Sequence, residues 1–156
     1  KPFGEVNWMQ SFDEKGRPIL PPVTPAYAGV ETNWYPPSYS PSTGLFYIPV
    51  REVRRTRTGL DIGVVRAFDP KTGEKKWEFK KNDADLRAGI LSTASGLLLT
   101  GMMDRYFYAL DARTGQALWQ MRLTGRVQSG PMSYAVNGKQ YIAVAAGNTL
   151  FALALP

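Results

Sequence analysis

Neither histidine nor cysteine occurs in this chain of 156 residues. Imidazole acid–base chemistry, thiolate nucleophiles, disulfides and the usual zinc sites are therefore excluded together. What remains for chemistry is carboxylates, guanidiniums and amides. Asp83 and Asp85 stand two residues apart, but Asn82 and Ala84 beside them read as a solvated turn rather than a pair of metal ligands. Arg51, Arg54, Arg55 and Arg57 form the densest basic cluster in a chain of net charge +6. A nucleic-acid groove would interleave such cations with exposed aromatic rings on one face. Here Glu52 interrupts the cluster and the aromatic residues fall in strand-like runs, so the cluster reads as a solvated loop, with an anionic protein partner as its other use. Asn33-Trp34-Tyr35 reads as packing beneath the Pro36-Pro37 turn more readily than as the lining of a site.

The elements that must position any of these groups announce themselves by repetition. Ala67-Phe68-Asp69-Pro70-Lys71-Thr72-Gly73-Glu74-Lys75-Lys76-Trp77 recurs 42 residues later as Ala109-Leu110-Asp111-Ala112-Arg113-Thr114-Gly115-Gln116-Ala117-Leu118-Trp119, both following A-x-D-x-x-T-G-x-x-x-W. A period in the low forties with β-type sequence between copies is the mark of a propeller blade. The runs before each Asp, Val64–Phe68 and Tyr106–Leu110, have strand composition. Asp69 and Asp111 are expected to accept amide hydrogen bonds within a turn. Gly73 and Gly115 are expected in the left-handed conformation that only Gly adopts without a Cβ penalty. Each Trp then lies on the returning strand, where its indole can cover a peptide plane of the adjoining sheet. Two ordinary hairpins, each with a core Trp, are the plainer alternative.

Further turn signals stand at Ser42-Thr43-Gly44, Ser95-Gly96 and Asn137-Gly138, and no window holds a helical period. Eight of the twelve prolines fall at or before Pro41. Residues 1–44 are thus expected to be a Pro-rich irregular segment, and 45–156 a series of β-blades. At about 42 residues per blade the chain holds fewer than the roughly 4–8 blades that close a ring. Thr149–Leu153 reads as a last strand that completes a blade begun elsewhere. The chain starts Lys1-Pro2-Phe3 with no initiator Met, leader or membrane-spanning run, and it reads as a piece of a longer protein.

The spacing resembles the tryptophan-docking motif of the quinoprotein alcohol dehydrogenases, eight-bladed propellers that carry pyrroloquinoline quinone (PQQ). Asn7-Trp8, the Phe12–Pro18 turn, Asn33–Pro41, Ser92–Leu97 and Gly130–Gly147 resemble C-terminal segments of that family, in family order. The resemblance implies an all-β fold, an incomplete ring made of C-terminal blades. It implies a parent protein that oxidises small alcohols by hydride transfer to PQQ beside Ca²⁺, in the periplasm, with an acceptor such as cytochrome c. The metal ligands and the proton-accepting carboxylate are expected upstream, in the remainder of the propeller. Neither nucleic acid nor a membrane span belongs to this reading.

Within the chain, the resemblance points to Asn7 and Trp8 as cofactor contacts, against a turn-capping Asn and a core Trp. Arg87 falls where many family members carry a Trp at the cofactor rim. It is read as a partner for a PQQ carboxylate, against a site that has lost its cofactor or a plain surface arginine. A Gly-rich insertion with a second rim Trp, present in some members, is missing at Gly147-Asn148-Thr149. The alternative from another class is a non-catalytic propeller that shares these repeats and serves as a protein-binding scaffold or assembly factor.

Overall fold

Both D-x-x-T-G stretches fold into the same turn. In the computed structural model, which describes residues 11–12, 14–15, 18–19, 29–31, 34–53 and 61–154, the Gly73 amide donates to the Asp69 carbonyl at 2.8 Å, and Gly115 to Asp111 at 2.8 Å. The Asp69 carboxylate accepts from the Lys71 amide at 2.8 Å. Asp111 accepts from the Arg113 and Thr114 amides at 2.8 and 2.9 Å. The Thr114 and Arg113 amides hold the Asp111 carboxyl below its ordinary pKa. Gly73 and Gly115 sit at φ 72° and 74°, as their turn position requires.

Every described strand pairs antiparallel. A short hairpin joins β1 (Ser11–Phe12) to β2 (Pro18–Ile19). The first sheet holds β3 (Gly29–Glu31), β4 (Ser38–Ser40), β5 (Leu45–Val53), β6 (Asp61–Phe68) and β7 (Lys75–Asn82). Both β3 and β4 lie before Leu45 and pair along β5. The second sheet runs β8 (Leu91–Ser92), β9 (Leu97–Gly101), β10 (Tyr106–Asp111) and β11 (Ala117–Arg122) in order. The third holds β12 (Met132–Val136), β13 (Lys139–Ala146) and β14 (Thr149–Ala154). Strand β14 therefore pairs with β13 in a sheet whose other described strands also belong to this chain. The sheet it closes has three strands among the described residues. The reason is local: Gly147, at φ 60°, turns β13 straight back onto β14.

The repeat extends to an irregularity. Ala67 pairs with Trp77 and Phe68 with Lys75, so Lys76 is an extra residue. Ala109 pairs with Trp119 and Leu110 with Ala117, leaving Leu118 extra in the same way. Such a bulge increases the local twist and re-aims the next side chain, here the Trp.

Trp77 shows what that aim achieves. Its indole Nε1–H donates to the Ala112 carbonyl of the second sheet's turn at 3.2 Å. Tyr47, fully buried, donates its hydroxyl to the same carbonyl at 2.9 Å, and the two rings lie 5.6 Å apart. A Cβ on Gly115 would come within 2.4 Å of the Trp77 ring, so the glycine is the floor on which the indole rests. Phe79 continues the contact against Tyr108 at 5.5 Å. One hydrophobic core runs through all three sheets, from Tyr47 and Val65 through Leu98, Phe107 and Leu110 to Val127, Val144 and Ala146. The fold is a partial β-propeller.

Trp119 departs from the expectation that each indole lies wedged against an adjoining sheet. It is 46% exposed. By the pattern of Trp77 its seat would be a turn just beyond β14, outside the described residues. Leu118, Met132, Val136 and Leu150 are exposed as well, as expected of sheet faces that have no neighbour among the described residues.

Two outcomes follow from this packing. Trp77→Ala, which removes a half-buried, docked ring, is expected to cost about 3 kcal/mol in urea unfolding, and Trp119→Ala under about 2 kcal/mol; equal losses would contradict the docking asymmetry. Glu78 is ringed by Lys75 at 2.9 Å, Lys80 at 3.1 Å and Arg66 at 3.3 Å, and the Lys75 bond is the main cause of a carboxyl pKa lowered to about 2. A lowered folded-state pKa gives stability that is present above the unfolded value and lost as pH falls through the folded one. Glu78→Gln should therefore flatten the fall in urea midpoint between about pH 5 and pH 2, and an unchanged slope would contradict this.

Candidate functional site

Each sheet is entered the same way. Pro36, Gly89 and Gly130 stand two residues before β4, β8 and β12, the innermost strands, and the three meet. A Cβ on Gly89 would lie 3.0 Å from the Gly130 Cα and 3.1 Å from the Pro36 Cδ. The Ile90 amide donates to the Pro36 carbonyl at 3.0 Å. The buried Thr100 hydroxyl donates to the Gly89 carbonyl at 3.0 Å. Farther along, Ser38 and Ser92 join β4 to β8 through their hydroxyls at 2.7 Å. The sheets therefore fan about a common centre, and Gly is needed at position 89 because backbones approach there.

Antiparallel alternation puts the D-x-x-T-G turns at the far end of the sheets and the entry segments together at the near end. The near face carries the β7–β8 segment, the β9–β10 turn, the β11–β12 segment and the β13–β14 turn. Two residues before Pro36, Gly89 and Gly130 stand Trp34, Arg87 and Gln128, equivalent positions in three successive sheets. Trp34 is 75% exposed, and its ring lies 4.7 Å from that of Tyr35 at a tilt of 43°. It faces outward instead of packing beneath the Pro36-Pro37 turn. Gln128 donates its amide to the Met103 sulfur at 3.3 Å, which ties the second and third sheets on this face. Arg126, Gln128, Ser129, Ala145 and Gly147 line an open depression beside it.

Beneath Arg87 lies an ion-pair cluster. Asp85 is 7% exposed, not solvated as its sequence neighbours suggest; Asp83 alone is exposed. The Asp85 Oδ2 accepts from Arg87 Nε at 2.5 Å and lies 3.4 Å from Arg51 Nε. Arg51 in turn pairs with Asp61 at 3.2 Å, so this member of the basic cluster is engaged and not simply solvated. Arg54, Arg55 and Arg57 lie outside the described residues. The Met103 amide donates to the Asp85 carbonyl at 2.9 Å, anchoring the segment to the β9–β10 turn. Asp85 Oδ1 is buried without a hydrogen-bond partner among the described residues. Its carboxylate pushes the Arg87 guanidinium pKa further up. Two non-glycine residues with positive φ, Asp83 at 58° and Arg105 at 72°, flank this cluster on the same face, and such conformations persist only where the surroundings enforce them.

Of the residues expected to contact a cofactor, the structure places Arg87 on the near face; Asn7 and Trp8 lie outside the described residues. Asp85 escaped the sequence reading, although its spacing held a signal. Residues i and i+2 of an extended segment share a side, so Asp85 and Arg87 can pair while Leu86 and Ala88 go to the core. Among the described residues no group of three or more acidic side chains can hold a metal ion, and no helix is long and apolar enough to cross a membrane.

Residues 82–142 match the β-propeller domain of glucose, ethanol and alcohol dehydrogenases that use PQQ. The chain is 36% identical to the quinoprotein alcohol dehydrogenase PedE of Pseudomonas putida, covering 86% of this chain and 24% of that protein. It is 32% identical to a quinoprotein ethanol dehydrogenase of Pseudomonas aeruginosa, covering 91% of this chain and 29% of that one. Among solved structures, the quinohemoprotein alcohol dehydrogenase ADHIIG of Pseudomonas putida superposes with a TM-score of 0.67 at 27% identity, over 90% of this chain and 28% of that one. The chain thus spans between a quarter and a third of the length of these relatives.

Proposed function

We propose that this chain, a stretch of PQQ-family propeller related over most of its length to quinoprotein alcohol dehydrogenases, forms three blades of such an enzyme and one side of its cofactor site. One observation carries the reading. The segment that matches the PQQ domain, 82–142, contains both the turn that seats Trp77 and the entry segment that presents Arg87 on the near face. Structural repeats explain the turn, but a scaffold has no need of a charged cluster where three sheets converge.

The near face suits PQQ, a flat ortho-quinone with three carboxylates. Arg87 and the exposed Arg126 offer cations, and the exposed Trp34 offers a flat aromatic face. Asn7 and Trp8 join them in this reading, the Asn7 amide as a neutral donor to a quinone oxygen. Bound there, PQQ would supply a hydride acceptor for the alcohol and Ca²⁺ a Lewis acid. The metal ligands and the base belong to the remainder of the propeller. This chain's own share is to bind and orient: Thr100 and Pro36 fix the Gly89 backbone, and Asp85 fixes Arg87. A periplasmic address and an acceptor such as cytochrome c complete the proposal.

The test is reconstitution of the full-length protein with PQQ and Ca²⁺, followed by dye reduction with a panel of primary alcohols. Turnover that depends on added PQQ is the expected result. No PQQ-dependent reduction with any alcohol would overturn the proposal in favour of a non-catalytic propeller.

A further inference from the structure

Asp85 is an expensive residue to have inside a protein. Burying a carboxylate carries a desolvation penalty that its ion pairs do not reliably recover, and a hydrophobic residue would stabilise this position as well. Its use must lie in what it holds. Besides lying 3.4 Å from Arg51 Nε, it holds Arg87 by a hydrogen bond, and by one edge only. A guanidinium that neutralises a carboxylate frequently takes both oxygens with its planar fork. Here the contact is single, from Arg87 Nε to Asp85 Oδ2, and Oδ1 is left without a partner among the described residues. Both Nη groups of Arg87, the fork itself, have no hydrogen-bond partner among the described residues.

The surroundings fix this geometry. The Asp85 backbone is tied to Met103, the neighbouring Leu86 and Ala88 are buried at 1% and 0% exposure, and Ala84 bridges to Ile62. The Arg87 side chain remains 39% exposed, on the face where three sheets converge. Arg126, exposed in the next sheet's entry segment, adds a second positive charge to that face.

We infer that Asp85 is a positioning residue that grips Arg87 by Nε and leaves its Nη fork to bind a carboxylate of a rigid, polyanionic ligand on the near face. The inference rests on the reading of this face as a PQQ site and names the group through which this chain would recognise the cofactor. Forked binding of a carboxylate needs a guanidinium that does not turn away. Gripping the Nε edge supplies that at little further loss of side-chain freedom.

The experiment is a titration of the full-length apoprotein, followed by tryptophan fluorescence, with two probes: PQQ and its trimethyl ester, which keeps the ring and lacks the charges. Arg87→Ala is expected to weaken PQQ about 10- to 100-fold, the range of a charge-assisted hydrogen bond, and to leave ester binding within about twofold. Asp85→Asn is expected to weaken PQQ by a smaller factor, and the double variant to bind no worse than Arg87→Ala, because Asp85 acts only through Arg87. PQQ binding that survives Arg87→Ala within twofold would overturn the inference while the cofactor reading stands. Equal loss for acid and ester would overturn it too, since the arginine would then be shaping the site or stacking on the ring. Additive losses in the double variant would remove Asp85 from the role. Failure of the unmodified full-length protein to bind PQQ would end the cofactor reading and the inference together. The Arg87→Ala arm does not depend on Asp85→Asn folding, because Arg87 lies at the surface.

Discussion

The architecture turns on one seat: the Trp77 indole resting on Gly115 and bonded to the Ala112 carbonyl. Antiparallel hairpins by themselves define sheets, not the angle between sheets. That angle is set where a large flat ring from one sheet meets a peptide plane in the next, and the same carbonyl also accepts the Tyr47 hydroxyl. The two donors come from different strands of the first sheet, β5 and β7, so the second sheet can neither slide nor rotate without breaking one of them. The indole sits over Gly115 because any side chain there would occupy its volume, and Gly115 is at positive φ because the turn requires it. One glycine thereby satisfies a backbone demand and a packing demand at once.

That seat lies at the far end of the sheets, and its consequence appears at the near end. With the inter-sheet angle set, the entry segments close on one another at Pro36, Gly89 and Gly130, where the contact distances admit no further methyl group between Gly89 and its neighbours. The packed centre gives the near face a rigid base. Val127 continues it into the third sheet by filling the space left open at Gly101. Arg87, Trp34 and Gln128 are then brought to equivalent places not by contact with each other but by the repeat itself. Asp85 and Arg105 refine the second sheet's share of that face through backbone ties to the neighbouring turn and strand.

Much of this was legible in the residues because it is local and repeated. The Asp69 and Asp111 turns, the glycine φ values and the Trp77 seat all follow from short-range rules applied twice. The turn signalled at Ser42-Thr43-Gly44 forms as well, with the Gly44 amide bonded to the Ser40 carbonyl at 2.9 Å. What was not legible depends on which surfaces meet. Asp85 reads as solvated beside Asn82, yet its neighbours Leu86 and Ala88 carry it inward. Trp119 has the same motif as Trp77 and a different fate, since burial requires a seat and the motif supplies only the ring. Strand β4 hid behind Pro36 and Pro37, which look like breakers but serve as the approach to an inner strand. Asn7 and Trp8 lie outside the described residues, so nothing in the structure speaks to their reading.

The central claim is that Gly115 is glycine because the Trp77 ring lies upon it, and a double-mutant cycle between Trp77→Ala and Gly115→Ala tests it most directly. The conformational strain of Ala at positive φ is common to both backgrounds and cancels. The steric clash exists only while the ring is present. Urea unfolding should therefore show Gly115→Ala to be less damaging in the Trp77→Ala background by about 1–3 kcal/mol, the range of an overpacking penalty. Additivity within about 0.5 kcal/mol would mean that ring and glycine do not touch, and the account of how these sheets are held would fail.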